Sequence, residues 1–228
     1  PVSLALDRNW ASETAWQGSG WISKNRIVRA AEGDIEPGQT GTFTFQVACP
    51  NSMVPGTHRF YARLVADGVT WFQNPDTNGG AWWQINVPRP QAISLSQSAP
   101  VTAFPGEVVN MSVYFKNTGT NTWTQSSPPM NLALDKYQNE GFMSQFRHNW
   151  MSSNRIANLQ VDSVAPGQVA PFNFQIKIPD LQPGSYRFYV RLVQDGFAWC
   201  EPDTNGGAWW SINVPAPTAQ WVSQSSHP

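Results

Sequence analysis

The chain of 228 residues carries a formal net charge of −1, and only 13% of its residues are charged. That balance leaves no basic field to hold nucleic acid or an anionic membrane, and no apolar run is long enough to span a bilayer. Aromatic residues also reach 13%, with 12 Trp and 12 Phe, which excludes a disordered polar chain and fits an extracellular or cell-surface β-protein. No leader peptide is present, as expected of a secreted chain after processing.

The first element, LALD at Leu4–Asp7, returns at Leu132–Asp135. In the same order, NRI at Asn25–Ile27 returns at Asn154–Ile156, PGQ at Pro37–Gln39 at Pro166–Gln168, and RFY at Arg59–Tyr61 at Arg187–Tyr189. PDTNGGAWW at Pro75–Trp83 returns at Pro202–Trp210, and INVP at Ile85–Pro88 at Ile212–Pro215. Ordered blocks at a nearly constant offset mean a tandem repeat. The first copy fills residues 1–88 and the Pro-rich stretch 89–91 is a stiff linker. The second copy fills 92–215, opening with a segment, Ala92–Gln125, that has no counterpart before Pro1. The tail 216–228 contains AQWVSQS, similar to AISLSQS from Ala92, and reads as a linker plus the start of a further copy or a donated strand. The expectation is therefore an incomplete first sandwich, finished by a longer array or by another subunit.

Within the second copy, Val108–Lys116 alternates with Met111, Val113 and Phe115 on one face, which is a strand. NTGTNTW is a turn leading to Trp123, and Leu132–Leu134 is a short strand. Phe172, Phe174, Ile176 and Ile178 alternate with polar residues, and Tyr186–Val193 alternates again. Asp195-Gly196 then reads as a tight hairpin turn with positive φ at both positions. No stretch has a helical period. Short strands and frequent Pro-Gly punctuation predict an all-β fold of two tandem immunoglobulin-like β-sandwiches, each of about seven strands.

FPGEVVNMSVYFKNTGTNTW, HNWMSSNRIA, APGQVAPFNFQIKIP, PGSYRFYVRLVQDGFAW and AWWSINV together resemble the four-tryptophan family of Ig-like domains. The matching tryptophans are Trp123, Trp150, Trp199 and the Trp209–Trp210 pair, and in the first copy Trp21, Trp71 and Trp82–Trp83. The resemblance implies a non-catalytic sandwich used for binding or architecture. It also implies core positions for Trp83, Trp123, Trp150, Trp199 and Trp210. The PDTNGG insert lies outside that pattern.

Adjacent strand residues face opposite ways, so only one Trp of each pair points inward. Trp210, Ile212 and Val214 form the inward set, as do Trp83, Ile85 and Val87. Outward lie Trp209 with Arg187, Tyr189 and Arg191, and in the first copy Trp82 with Arg59, Tyr61 and Arg63. Trp, Tyr and Arg are the residue types enriched in interface hot spots. Three readings stand for this face: packing within the domain, contact with an adjacent repeat or another copy of the chain, or a platform for polysaccharide.

Cys49 and Cys200 occupy different places in their repeats, and read either as two free thiols or as a bridge between domains or chains. Asp76, Asn78, Asp203 and Asn205 of the insert are weak candidates for calcium, which wants six to eight oxygens; an Asx-turn loop with Gly at positive φ is the favoured reading. His58 stands where the second copy has Tyr186 and reads as a packing residue. His148 and His227 have no counterpart, and no catalytic, metal or cofactor motif is present. The expected function is a non-catalytic structural repeat of an extracellular array, filament, sheath or stalk, self-associating through the Trp/Tyr/Arg faces and edge strands. The alternative is a carbohydrate- or protein-binding accessory module.

Overall fold

The structure is a computed structural model that describes residues 1–7, 16–50, 53–73, 80–126, 128–200 and 207–224. The chain divides into two compact units, Pro1–Pro88 and Arg89–Pro228. The fold class is all-β and immunoglobulin-like, as expected. Among the described residues, no helix is long and apolar enough to cross a membrane.

The second unit is a full sandwich. It contains β6 (Ala92–Gln97), β7 (Val101–Thr102), β8 (Val108–Asn117), β9 (Trp123–Thr124) and β10 (Met130–Leu134). These are followed by β11 (Arg155–Asn158), β12 (Ser163–Val164), β13 (Val169–Lys177), β14 (Gly184–Gln194), β15 (Ala198–Trp199) and β16 (Gly207–Val214). One sheet runs β11-β10-β14-β16-β7, with β15 also on β14; the other runs β13-β8-β6; β12 and β9 form a small ladder. Alternation decides which side chains meet between the sheets. Phe188, Val190, Leu192, Trp210, Ile212 and Val214 point in from one, and Met111, Val113, Phe115, Phe172, Phe174 and Ile176 from the other, all buried. Phe188 is the hub. Its ring centroid lies 5.6 Å from Phe146, 6.0 Å from Trp150, and 6.2 Å from both Phe174 and Trp210. Trp123 and Trp150 are buried, and the Trp150 indole N–H donates to the Gln175 carbonyl at 2.7 Å.

The first unit comprises β1 (Val2–Leu6), β2 (Arg26–Arg29), β3 (Gly56–Ala66), β4 (Thr70–Trp71) and β5 (Gly80–Val87) in one sheet; β3 pairs with β1, β4 and β5. Its ladders repeat those of the second unit. Leu4 pairs with Leu64 as Leu132 pairs with Leu192, and Phe60 with Trp83 as Phe188 with Trp210. Even the register shift after Leu4 recurs after Leu132.

Residues 41–47, GTFTFQV, match 170–176, APFNFQI, yet only the second copy makes a strand of them. β13 has β8 as hydrogen-bond partner along its whole length. Among the described residues no β8 counterpart stands beside 41–47, where the bridge Gln17–Val47 is isolated. A strand is held by its ladder, so sequence alternation without a partner does not suffice. The same absence corrects the expectation for Trp83. It points inward against Phe45 and Phe60, but it is 41% exposed where Trp210 is 1% exposed.

Two further expectations change. A short helix, α1 (Glu140–Met143), capped by the Asn139 side chain on the Phe142 N–H, runs into a 3-10 turn at Ser144–Phe146. It delivers Met143 and Phe146 to the core but is too short to show a period. In the Asp195-Gly196 turn only Gly196 has positive φ (78°), with the Phe197 N–H closing on the Gln194 carbonyl.

Phe188→Ala should destabilise the second unit by about 3–5 kcal/mol, the cost of deleting a buried phenyl from a closed core. Phe60→Ala should cost less, because its neighbour Trp83 is already half open to solvent and can close over the gap. Denaturant unfolding of both variants checks the order.

Candidate functional site

The candidate site grows from the β14–β16 hairpin and its equivalent β3–β5. Register places Tyr189 opposite Trp209, and Arg187 opposite Ser211. The Arg187 guanidinium carbon sits 4.5 Å above the Trp209 ring centroid. Tyr189 and Trp209 lie 6.4 Å apart at 40°. The first unit repeats the arrangement, with Tyr61 opposite Trp82 and Arg59 4.5 Å above the Trp82 ring. Trp209 and Trp82 are 46% and 50% exposed, so both indoles face outward. Each cation–π contact stabilises by about 0.5–1 kcal/mol at such a site. The stacking uses one face of each indole and leaves the ridge in solvent.

Arg63 and Arg191 do not share this exposure. They lie on the same sheet face, further along the strand, but are buried. The turn after β10 closes over Arg191. Its Nη2 donates to Asp135 Oδ2 at 2.8 Å, its Nη1 to the Cys200 carbonyl at 3.3 Å, and its guanidinium lies 5.1 Å from the Tyr137 centroid. Arg63 binds Asp7 Oδ2 through Nε at 3.0 Å and Nη2 at 2.9 Å. A charge at this depth persists only when paired. LALD and RFYxR are thus two halves of one internal ion pair.

This pair explains the last glycine of the insert. A Cβ on Gly207 would sit 2.9 Å from the Val190 carbonyl oxygen and 3.3 Å from Asp135 Oδ2. On Gly80 it would sit 3.0 Å from both the Ala62 carbonyl oxygen and Asp7 Oδ2. Asp76, Asn78, Asp203 and Asn205 lie outside the described residues. Among those described, no group of three His, Cys, Asp or Glu is placed to hold a metal ion.

A second pair lies beside the first. Arg155 binds Asp195 at 2.7 Å and covers Trp199 at 5.3 Å, with Lys136 5.4 Å from the same ring. In the first copy Arg26 binds Asp67 at 2.6 Å and covers Trp71 at 5.3 Å. Trp199 is therefore half-buried under cations rather than in the core. Its two-residue strand carries no period from which this could be read. The Ser3 hydroxyl, and then Arg26, hold the Asp67 carboxyl below its ordinary pKa. The stabilisation from that shift is present above the ordinary Asp range and is lost as pH falls through the depressed value.

Cys49 is exposed, whereas Cys200 is buried within the second core. His58 Nε2 lies 2.8 Å from the Val54 carbonyl, as the Tyr186 hydroxyl donates to the Gln182 carbonyl at 2.8 Å.

No family model matches the chain, and no curated protein matches its sequence. Among solved structures, the CARDB domain of a Pyrococcus furiosus protein in solution is 15% identical over 55% of this chain and 95% of that domain, with a TM-score of 0.35. A crystal structure of the same domain in complex with di-metal ions gives 15% identity, 56% and 96% coverage, and a TM-score of 0.36. An alkylpurine DNA glycosylase of Pseudomonas fluorescens bound to DNA containing an abasic site analogue gives 16%, 54%, 30% and 0.30. Likeness of this degree carries no ligand or activity to the present chain.

Asp135→Ala should cost the second unit about 3–5 kcal/mol by leaving Arg191 buried without its carboxylate; thermal and urea unfolding measure it. Ser3→Ala should bring the Asp67 pKa back up towards its ordinary value, read from the carboxyl carbon shift in an NMR pH titration.

Proposed function

We propose that the chain is a non-catalytic, extracellular or cell-surface module of the four-tryptophan type. Its repeats associate with adjacent repeats or with further copies through the Trp–Arg ridges. The observation that carries this reading is the pair of exposed indoles, Trp82 and Trp209, each fixed under an arginine at 4.5 Å. A ring held in place on one face loses little further side-chain freedom on contact, which favours a rigid hot spot over a mobile surface residue. The same ridge occurs in both copies, as a repeated contact requires. Low overall charge supports close approach of like surfaces.

Trp82→Ala combined with Trp209→Ala should weaken self-association by about tenfold or more, the cost typical of losing hot-spot indoles, with little change in melting temperature. Sedimentation velocity across a concentration series, with negative-stain electron microscopy of the native secreted material, reads the outcome. Assembly identical to that of the unaltered chain would assign these faces to packing within each domain.

A further inference from the structure

The outward face of the other sheet carries a different chemistry. Two shallow hollows of about 350 and 420 Å³ lie side by side across β13 and β8, sharing Asn173, Phe174 and Gln175 in their linings. The first is bounded by 148–151 and β11, the second by Asn110 and Ser112 of β8. Among the described residues, neither lining includes an Asp, Glu, Lys or Arg. Beside His148 and Ser112 the polar groups are amides, several held by one another. Gln175 Nε2 donates to Asn110 Oδ1 at 2.9 Å. Gln160 Oε1 accepts from both the backbone and the side-chain N–H of Asn173, each at 2.9 Å, and Gln160 Nε2 donates to the Asn173 carbonyl at 2.7 Å. An amide has two donor hydrogens and an acceptor oxygen. These mutual bonds engage one end of each amide and leave Asn110 Nδ2, Gln175 Oε1 and Asn173 Oδ1 as further uncharged donors and acceptors, on residues that are exposed (Asn110, Asn173) or half-buried (Gln175). Tyr114, two residues beyond Ser112 on the same face, is 42% exposed and adds an aromatic surface.

A comparison of the copies isolates this face. The ion pairs and the Trp–Arg ridge are common to both, but Asn149, Asn158, Gln160 and Asn173 stand where the first copy has Gly20, Arg29, Ala31 and Thr44. Asn149 is the sharpest case. It takes the left-handed conformation (φ 54°) that the first copy gives to Gly20 (φ 79°). A side chain is kept there, at the rim of the hollow, in a conformation where glycine is freer. Its Nδ2 lies 3.3 Å from the His148 ring. Gln160 serves the edge backbone of Asn173, but at 149, 158 and 173 the first copy does without an amide.

We infer that the amide-lined face of β13 and β8 in the second unit binds a neutral polysaccharide, with hydroxyl groups bridging Asn110, Asn149, Asn173 and Gln175 and a sugar ring against Tyr114. Hydroxyls both donate and accept, as this array does, and the uncharged lining gives no purchase to an acidic or basic ligand. The inference stands on residues separate from the Trp–Arg ridges.

Affinity electrophoresis of the full chain tests it, in gels containing mixed-linkage β-glucan, dextran or galactomannan, with polygalacturonate as the anionic control. At least one neutral polymer should retard the chain. The double variant Asn173→Ala with Gln175→Ala should bind about twentyfold more weakly, and Asn149→Gly, which preserves the turn, about fivefold more weakly, at roughly one hydrogen bond per amide. Trp209→Ala should bind as the unaltered chain does. The inference is overturned if no neutral polymer retards the chain, if only polygalacturonate does, if both amide variants bind unchanged, or if Trp209→Ala alone abolishes retardation, which would move the ligand to the ridge.

Discussion

Two-residue alternation along the β14–β16 hairpin is the constraint on which the rest of the second unit depends. It sends Phe188 and Trp210 into the core and Arg187 and Trp209 out of it, from consecutive positions. One residue of slip would exchange a buried hub for an exposed ridge. The hairpin is locked against that slip at both ends. At one, Arg191 is fixed to Asp135 over a glycine that cannot accept a side chain. At the other, Tyr186 ties to the Gln182 carbonyl. Core and surface are thus two consequences of one register.

Much of this was legible in the residues. The paired tryptophans could be split into inward and outward members because a strand has a strict period, and the faces of β8 and β13 followed in the same way. Arg63 and Arg191 shared the outward phase but not the outward fate. Phase gives direction, whereas burial depends on which turn lies over the residue, and the turn carrying Asp135 and Tyr137 is remote in sequence. Trp199 lies on a strand too short to have a phase. Trp83 has the right phase but no covering strand among the described residues. The amide face was hidden because it is assembled across β8, β13 and the turn at 148–151. Only the pairing of Asn110 with Gln175 reveals it.

Duplication separates what the fold needs from what one copy does. Both copies keep the buried Asp–Arg pair, the second pair beside the half-buried Trp, the indole N–H of Trp21 or Trp150 on a glutamine carbonyl, and the closing glycine of the insert. These are demands of packing and polar satisfaction that any copy must meet. Gln160 meets such a demand on the edge backbone of Asn173, whereas at 149, 158 and 173 the first copy does without an amide.

Two exposed cations of the sheet faces are committed to rings at short range, Arg59 to Trp82 and Arg187 to Trp209. Salt at physiological strength screens charges beyond about 8 Å and has far less effect on contacts about half that length. With a formal net charge of −1, little long-range attraction remains to steer a partner. Encounters proceed at the unsteered diffusional rate, nearly insensitive to ionic strength. For the proposed association, dilute and briny surroundings would be alike, and selectivity would lie in how slowly a partner leaves rather than in how fast it arrives.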